Sequence, residues 1–414
     1  MSFYTSLTGL NAAATELSVT ANNIANSGTT SFKRSDAQFG DIFALSNLQR
    51  ASSAAGSGTV LLGVYQQFTQ GNIEASSNAL DLAITGDGFF PIKTSDGGEF
   101  YTRNGRFMLN ESNLLVTSEG HTLQVHPLDP TTNKSQLNQA TVDLEVQREL
   151  PATPTTAIDS DIKLPMDGAV IGAGIAIDPA DNSTYNEAQT ISLYDDAGQA
   201  YSATVYYQKT ADNTATTPPL DTWEVEVFIG DSTTRAGTTT INFNSTTGAL
   251  EGTIADLTIA ASVPDSRANP ITMSLTASSH SKAFQVVSQA QNGLAGGGLV
   301  SVDVGNDGLV TATYSNGQQL TAGRINLVNF RSPEGLRQDG ETKYSSTATS
   351  GAANFGEAGA VGFGTIRSGA LERSNVDLTA ELIDLISSQR SFQANAKAIE
   401  TSSSLTQTII NMRG

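Results

Sequence analysis

Apolar residues recur at both ends of the chain in alternating steps of four and three, and the middle does not share the pattern. Phe3, Leu7, Leu10, Ala14, Leu17, Ala21 and Ile24 form one stripe, while Leu378, Leu382, Leu385, Phe392, Ala396 and Ile399 form the other, with Gln389 filling one slot. Steps of four and three are a heptad seam, which keeps facing a partner helix along its length. The first helix is predicted over 3–26, stopping at Ser27-Gly28 with the glycine as a left-handed cap. Its interior holds Asn11, Asn22 and Asn23, weak helix formers, so alone in water it is marginal. The last helix is predicted over 375–412, with Ser374-Asn375-Val376-Asp377 supplying a capping-box variant. At about 1.5 Å per residue it spans roughly 55 Å, too long to wrap a small domain. Its seam slips near Ser402 to Ser404 and resumes at Leu405, Ile409 and Met412.

Between the helices the period changes from helical to alternating. Residues 29 to about 70 are Ser/Gly-rich, with scattered Phe39, Ile42, Phe43, Val64 and Phe68, and read as an extended connector that docks on something. From about 71 strands are expected: Leu80, Leu82 and Ile84 alternate, and Asp96-Gly97-Gly98 and Asn104-Gly105 are tight turns. Over 145–290 lies a separate β unit. In it Asp195-Asp196-Ala197-Gly198 joins two strands, and Trp223, Val225, Val227 and Ile229 alternate with polar neighbours, so one strand face is buried. Further strands are expected at 239–243 and 271–275. Strands resume at 299–304, 309–314 and 324–330 around turns at Asn306-Asp307-Gly308 and Asn316-Gly317, and 345–364 reads as loose Ser/Ala/Gly sequence. The layout is nested: a middle unit inserted in a second β unit, itself bracketed by connector and helices.

Charge sharpens this picture. The net charge is −19, which argues against nucleic acid, since that partner requires a cationic footprint. Residues 145–290 hold eighteen Asp or Glu against six Lys or Arg, a net −12, whereas the first 32 residues hold one charged side chain, Glu16. An acidic middle is suited to water and an uncharged amphipathic helix to protein, which places the middle outside and the ends inside an assembly. Cysteine is absent, excluding disulfides and thiolate metal sites. No basic-then-apolar leader opens the chain, and no apolar run reaches membrane-spanning length, so neither a general secretory route nor membrane insertion is expected.

Candidate chemistry is sparse. His121 and His126 stand five apart in strand-like sequence, on opposite faces, and His280 is remote, so they read as surface or hydrogen-bonded histidines. Gly172-Ala173-Gly174 opens like a dinucleotide fingerprint, but Ile177 replaces the third glycine and Asp178 comes too early; a turn at a β edge explains it. The stretch Asp303 to Gly308 hints at a calcium loop, yet Tyr314 stands where the closing glutamate belongs, leaving a hairpin turn. The acidic excess reads as a solvated face, with weak cation binding as the alternative. No Gly-x-Ser-x-Gly elbow is present.

Several short blocks resemble one family. Leu10-Asn11-Ala12-Ala13, Ala21-Asn22-Asn23-Ile24-Ala25-Asn26 and Phe32-Lys33 resemble the N-terminal signature of bacterial flagellar rod and hook proteins. Gln70-Gly71-Asn72, Leu80-Asp81-Leu82-Ala83-Ile84, Gly86-Asp87-Gly88-Phe89-Phe90 and Tyr101-Thr102-Arg103-Asn104-Gly105 are similar to its β segment. Gly369-Ala370-Leu371-Glu372, Ser374-Asn375-Val376-Asp377-Leu378 and Gln389-Arg390-Ser391-Phe392-Gln393 resemble its C-terminal block. The blocks lie in order over about 160 residues at the two flanks. Because rod members have at most one β unit between their helices, the added acidic unit of about 145 residues implies the hook member, a curved, flexible tube that transmits torque and encloses an export channel. The resemblance further implies export through the flagellar type III apparatus without a cleaved signal peptide, and an extracellular place in the hook. It implies self-polymerisation under a hook cap, between distal rod and hook–filament junction proteins. It implies no catalytic residue, cofactor or metal.

The expected fold class is therefore mixed and mainly β, with the terminal helices paired as a coiled coil (1–30 and 375–414). The extended connector (31–70 and 360–374), a first β domain (71–144 and 291–359) and an inserted outer β domain (145–290) complete the expected layout. The two stripes, together with Leu405 and Ile409, are the expected subunit interface. A stiff rod-type axial subunit and a secreted β-rich adhesin with dispensable helices remain the alternatives.

Overall fold

A computed structural model describes residues 2–42, 56–129, 131–213, 217–230, 232–260, 270–280 and 282–412, apart from the side chains of Ser2, Ile409 and Met412. Phe43 thus lies outside the described residues. The fold is mainly β, with one long helix at each end, α1 (Ser2–Ala25) and α2 (Leu378–Met412), paired with each other. By internal contacts the chain forms two units, one of 1–147, 301–313 and 319–414, the other of 148–300 and 314–318.

Both helix ends differ from the sequence expectation. Gly28 does not adopt a left-handed φ. Instead α1 tightens into successive turns: Ser27 N donates to Ile24 O at 3.3 Å, Thr29 N to Asn26 O at 3.1 Å, and the Ser27 hydroxyl to Ile24 O at 2.8 Å. Side chains here satisfy carbonyls that a glycine cap would have met through backbone geometry. At α2 the cap is Asp377 and not Ser374, because the Asp377 carboxylate accepts from Thr379 N at 2.8 Å and Ala380 N at 3.2 Å.

The connector is more ordered than its composition suggests. Strands β1 (Ser35–Asp41) and β2 (Thr59–Gln66) pair antiparallel into a ribbon lying beside α1. Beyond it, Ile73–Ala75 pairs with Ala370–Glu372 and Leu82–Thr85 with Thr365–Ser368, so early and late segments are knitted strand to strand. Asn354–Glu357, within the stretch expected to be loose, pairs with Asn326–Asn329. The expected strand over 324–330 is broken at Ile325, between Gln319–Arg324 and Asn326–Asn329. The first unit's aromatic core joins Phe89, Tyr101, Phe330 and Tyr344, with rings edge to face at 4.8 Å for Tyr101–Phe330 and 5.9 Å for Phe89–Phe330.

In the second unit two four-stranded sheets share one core. One sheet runs Leu257–Ile259, Ile271–His280, Ala157–Pro165, Gln285–Gln291; the other runs Glu187–Tyr194, Ala200–Asn213, Leu220–Ile229, Arg235–Asn244. Trp223, Val225, Val227 and Ile229 all face that core. Phe228, on the other face of the same strand, is also buried, in a small cluster with Ile177 and Tyr206 that alternation alone does not indicate. Lys209 and Asp221 pair at 3.0 Å, both buried, and the Lys209 ammonium also donates to Met166 O at 3.0 Å.

Because the chain has a single tryptophan, Trp223, its fluorescence reports the second unit alone. Phe243→Ala, which empties a fully buried ring site in that core, is expected to cost about 3–5 kcal/mol in a fluorescence-monitored urea titration. A cost below about 1 kcal/mol would mean the two sheets do not share the site tightly.

Candidate functional site

The densest polar cluster of the first unit sits where the two ends of the chain meet. Lys33 and Glu372 form an ion pair at 2.8 Å with both side chains fully buried. The Lys33 ammonium also donates to Thr69 O at 2.8 Å, and the Glu372 carboxylate accepts from Gly71 N at 2.7 Å. Arg103 approaches the same carboxylate at 3.7 Å while its guanidinium lies 5.3 Å from the Phe89 ring centre. Burial pushes the Lys33 and Arg103 pKa values down, against the pull of Glu372. Ser31, at φ 57°, reaches Arg103 O through its hydroxyl at 2.8 Å and Glu372 O through its backbone N–H at 2.9 Å. Gly71 is required here, since a Cβ would come within 2.0 Å of Arg373 O.

One turn away a second polar knot ties the helices to this base. Asn23 is buried on α1; its amide donates to Ser35 O at 2.9 Å and to the Glu381 carboxylate at 3.2 Å, and its carbonyl accepts from Ser35 N at 2.9 Å. Arg34 meets Glu381 at 2.5 Å. Asn375 accepts from Arg34 N at 2.7 Å and donates to Gln67 O at 2.8 Å. Every segment in these two knots belongs to a block singled out in the sequence or adjoins one, yet spacing assigned none of them a role.

From this base α1 and α2 run antiparallel. Asn23 meets Glu381, and Gly9 lies against Asn395, where a Cβ would come within 2.8 Å of its amide. The contact line is small and polar: Ala13, Thr20 and Asn23 are buried on α1, Glu381 and Ser388 on α2. The heptad residues are not on that line. Leu10, Ala14, Leu17, Ile24, Leu385, Phe392, Ala396 and Ile399 are half-buried, and Phe3, Leu7, Ala21, Leu378, Leu382 and Leu405 are exposed. The Ile409 side chain lies outside the described residues.

Helical geometry places the two stripes relative to each other. At about 100° per residue, the α1 stripe lies roughly 110° round from its contact line and the α2 stripe roughly 70° round from its own, in the same rotational sense. Because the helices are antiparallel, both stripes emerge on the same side of the pair. The result is one two-helix apolar face, left half-buried to exposed among the described residues. Beyond Phe3, α2 continues without α1 for about ten residues, roughly 15 Å.

The remaining candidates stand apart. The His126 ring lies 3.3 Å from Asn326 Oδ1 and edge-on to Phe355, and burial pushes its pKa down. His121 contacts Glu341 at 3.4 Å. Gly172 and Gly174 are both left-handed in an irregular turn, and Gly305 to Leu309 closes a hairpin. Among the described residues, no group of three or more acidic or histidine side chains is placed to hold a metal ion, and no helix is long and apolar enough to cross a membrane.

Four family models match. They describe a flagella basal body rod protein (residues 3–33), the flagellar hook protein FlgE/F/G D1 domain (83–180), the flagellar basal body protein FlaE D2 domain (157–294) and the flagellar basal body rod FlgEFG protein C-terminal region (367–412). The chain is 36% identical to the flagellar hook protein FlgE of Escherichia coli and 37% to that of Salmonella typhimurium, each match covering 100% of both chains. It is 28% identical to the FlgE of Borreliella burgdorferi, over 100% of this chain and 99% of that one. A crystal structure of Helicobacter pylori flagellar hook protein FlgE2 shares the fold at a TM-score of 0.53 and 15% identity, covering 72% of this chain and 100% of that one.

Lys33→Met leaves a buried carboxylate with only Arg103 beside it and is expected to cost about 3–5 kcal/mol. Adding Glu372→Gln removes the stranded charge, so the double variant should recover at least ~1 kcal/mol relative to additivity in chemical denaturation. Strict additivity would show that the two groups do not act as a pair.

Proposed function

The chain belongs to the flagellar hook protein family, and from that footing we propose how it builds the hook: as a structural subunit polymerising into a curved, flexible tube that passes torque from rod to filament. The observation that carries the reading is the two-helix apolar face, half-buried to exposed among the described residues. Each Leu fully buried there contributes about 1.5–3 kcal/mol, and only other copies of the chain are available to cover it along a tube. Where that face meets a different surface of the next copy, the contact does not close on a pair and therefore propagates.

The helix pair forms the inner wall around an export channel, and the β units form the outer layers. With a contact line of small and polar residues, and with its oily stripes only half-buried or exposed, the pair is held weakly in a lone molecule. Its ordering is completed on assembly, which limits spontaneous nucleation and makes a cap or template useful. Export by the type III apparatus, contact with the distal rod below and contact with junction proteins above follow from this place in the flagellum. The inserted unit at 157–294 favours the hook over a rod-type shaft, since it is the part matching the FlaE D2 model.

Bending requires neighbouring outer units to exchange contacts cheaply. Charged residues are only 15% of the chain, so most outer contacts are hydroxyl and amide groups that trade partners at low cost.

Leu385→Asp and Leu10→Asp should each abolish tube formation in sedimentation while the β content seen by circular dichroism stays unchanged. Normal tubes from Leu385→Asp would sink the apolar-face reading. Covalent cross-links between neighbouring outer units are expected to freeze curvature, and a cross-linked hook that still bends as it rotates would refute contact exchange.

A further inference from the structure

His126 follows the strand Thr122–Val125 and is 3% exposed. One residue holds it: the Asn326 side-chain oxygen accepts from His126 N at 3.0 Å and lies 3.3 Å from the ring Nδ1. Asn326 is itself fully buried, and its amide donates to the Ser135 hydroxyl at 2.9 Å. After His126 the chain turns back on itself, with Gln136 N donating to Pro127 O at 2.8 Å and Ser135 N to the Glu357 carboxylate at 2.9 Å. A single asparagine thus carries both the imidazole and a surface strap of residues 131–139. With Nδ1–H donating to Asn326, Nε2 is the nitrogen that takes up a proton in acid.

We propose that His126 is an acid release for this strap: taking up a proton drives the ring from its site, frees Asn326 and lets residues 131–139 lift off the first unit. The site offers an imidazolium nothing in return for lost water. Asn326 already serves the neutral ring, and the Phe355 ring lies edge-on at 4.8 Å. The charged groups on the surrounding elements are engaged elsewhere or lie in the strap. Glu357 is tied to Ser135 N and approaches Arg324 at 3.8 Å, and Arg324 also meets Asp307 at 3.2 Å. Asp143 accepts from Thr122 at 2.7 Å, Asp129 accepts from Thr131 N at 2.8 Å, and Lys134 belongs to the strap. Among the described residues none of these pairs with the ring. Burial lowers the His126 pKa in the closed state, whereas the released ring returns to its ordinary value of 6.5. The hold is therefore complete above about pH 6.5 and weakens as the pH falls below it, because the open state binds a proton that the closed one excludes. This device stands on the first unit alone and does not depend on the polymer reading.

Amide hydrogen exchange of the full chain, read by mass spectrometry and normalised at each pH to an unstructured peptide, tests the release. Between about pH 7.5 and about pH 5, peptides covering 131–139 are expected to lose protection several-fold, while those covering Leu220–Ile229 of the second unit keep theirs. His126→Gln presents an amide donor that does not titrate, so its strap should stay equally protected across the range. Constant protection in the unaltered chain, an equal loss at Leu220–Ile229, or an equally steep loss in folded His126→Gln would each overturn the proposal. The chain has three histidines, so the His121→Gln/His280→Gln protein leaves His126 alone to be titrated by NMR. A midpoint below about 6.5 is expected, and one at or above it would overturn the release even if His126→Gln does not fold.

Discussion

The buried pair of Lys33 and Glu372 is the constraint on which the rest of the first unit depends. The two residues lie 339 apart in the chain, and neither charge is tolerable in the interior without the other. The pair can form only if the segment after α1, the segment at Thr69 to Gly71, the loop at Arg103 and the strand before α2 converge at one point. Convergence there sets where α1 ends and α2 starts, and therefore their register. A hydrophobic contact would tolerate a slip of one residue, whereas a fully buried ammonium with a carboxylate 2.8 Å away does not.

This separates two tasks that a single seam would have confounded. Polar residues at the base and small residues along the helices define the shape of one molecule, and on the proposed polymer reading the large apolar residues serve contacts between copies. Gly9 and Ala13 let the backbones approach closely, so the pair needs little side-chain bulk for its own cohesion. The same division explains why Asn23 and Glu381 are buried in a helix pair whose leucines are only half-buried or exposed: their hydrogen bonds have fixed partners in the chain, and the leucines stand off that contact line.

The helices, the strand-rich middle and the turn at Asp195 to Gly198 were legible from periodicity and turn chemistry. The heptad stripes were visible as apolar, but periodicity alone cannot say whether such a stripe faces its own chain. The actual contact line was written in the same sequence: Glu381, Ser388 and Asn395 recur every seven residues, as do Ala13 and Thr20. Pattern reading weights large apolar residues and passes over small and polar ones, so that line went unread. The cap at Gly28 failed because Ser27 and Asn26 satisfy the helix end through their side chains. The ribbon was missed because Gly40 and Gly63 dilute its alternation, and its strength comes from lying on α1. The role of Lys33, Arg103 and Glu372 depends on a meeting of remote segments that no local window contains.

The end of α2 carries a quieter implication. From Thr401 to Met412 there is not one ionisable side chain, only hydroxyls, amides and aliphatic groups. Were that stretch to line the channel proposed above, a passing chain would meet a surface of uniform sign, namely none. Acidic and basic travellers would feel the same low friction, with no counter-ion to shed and none to pick up.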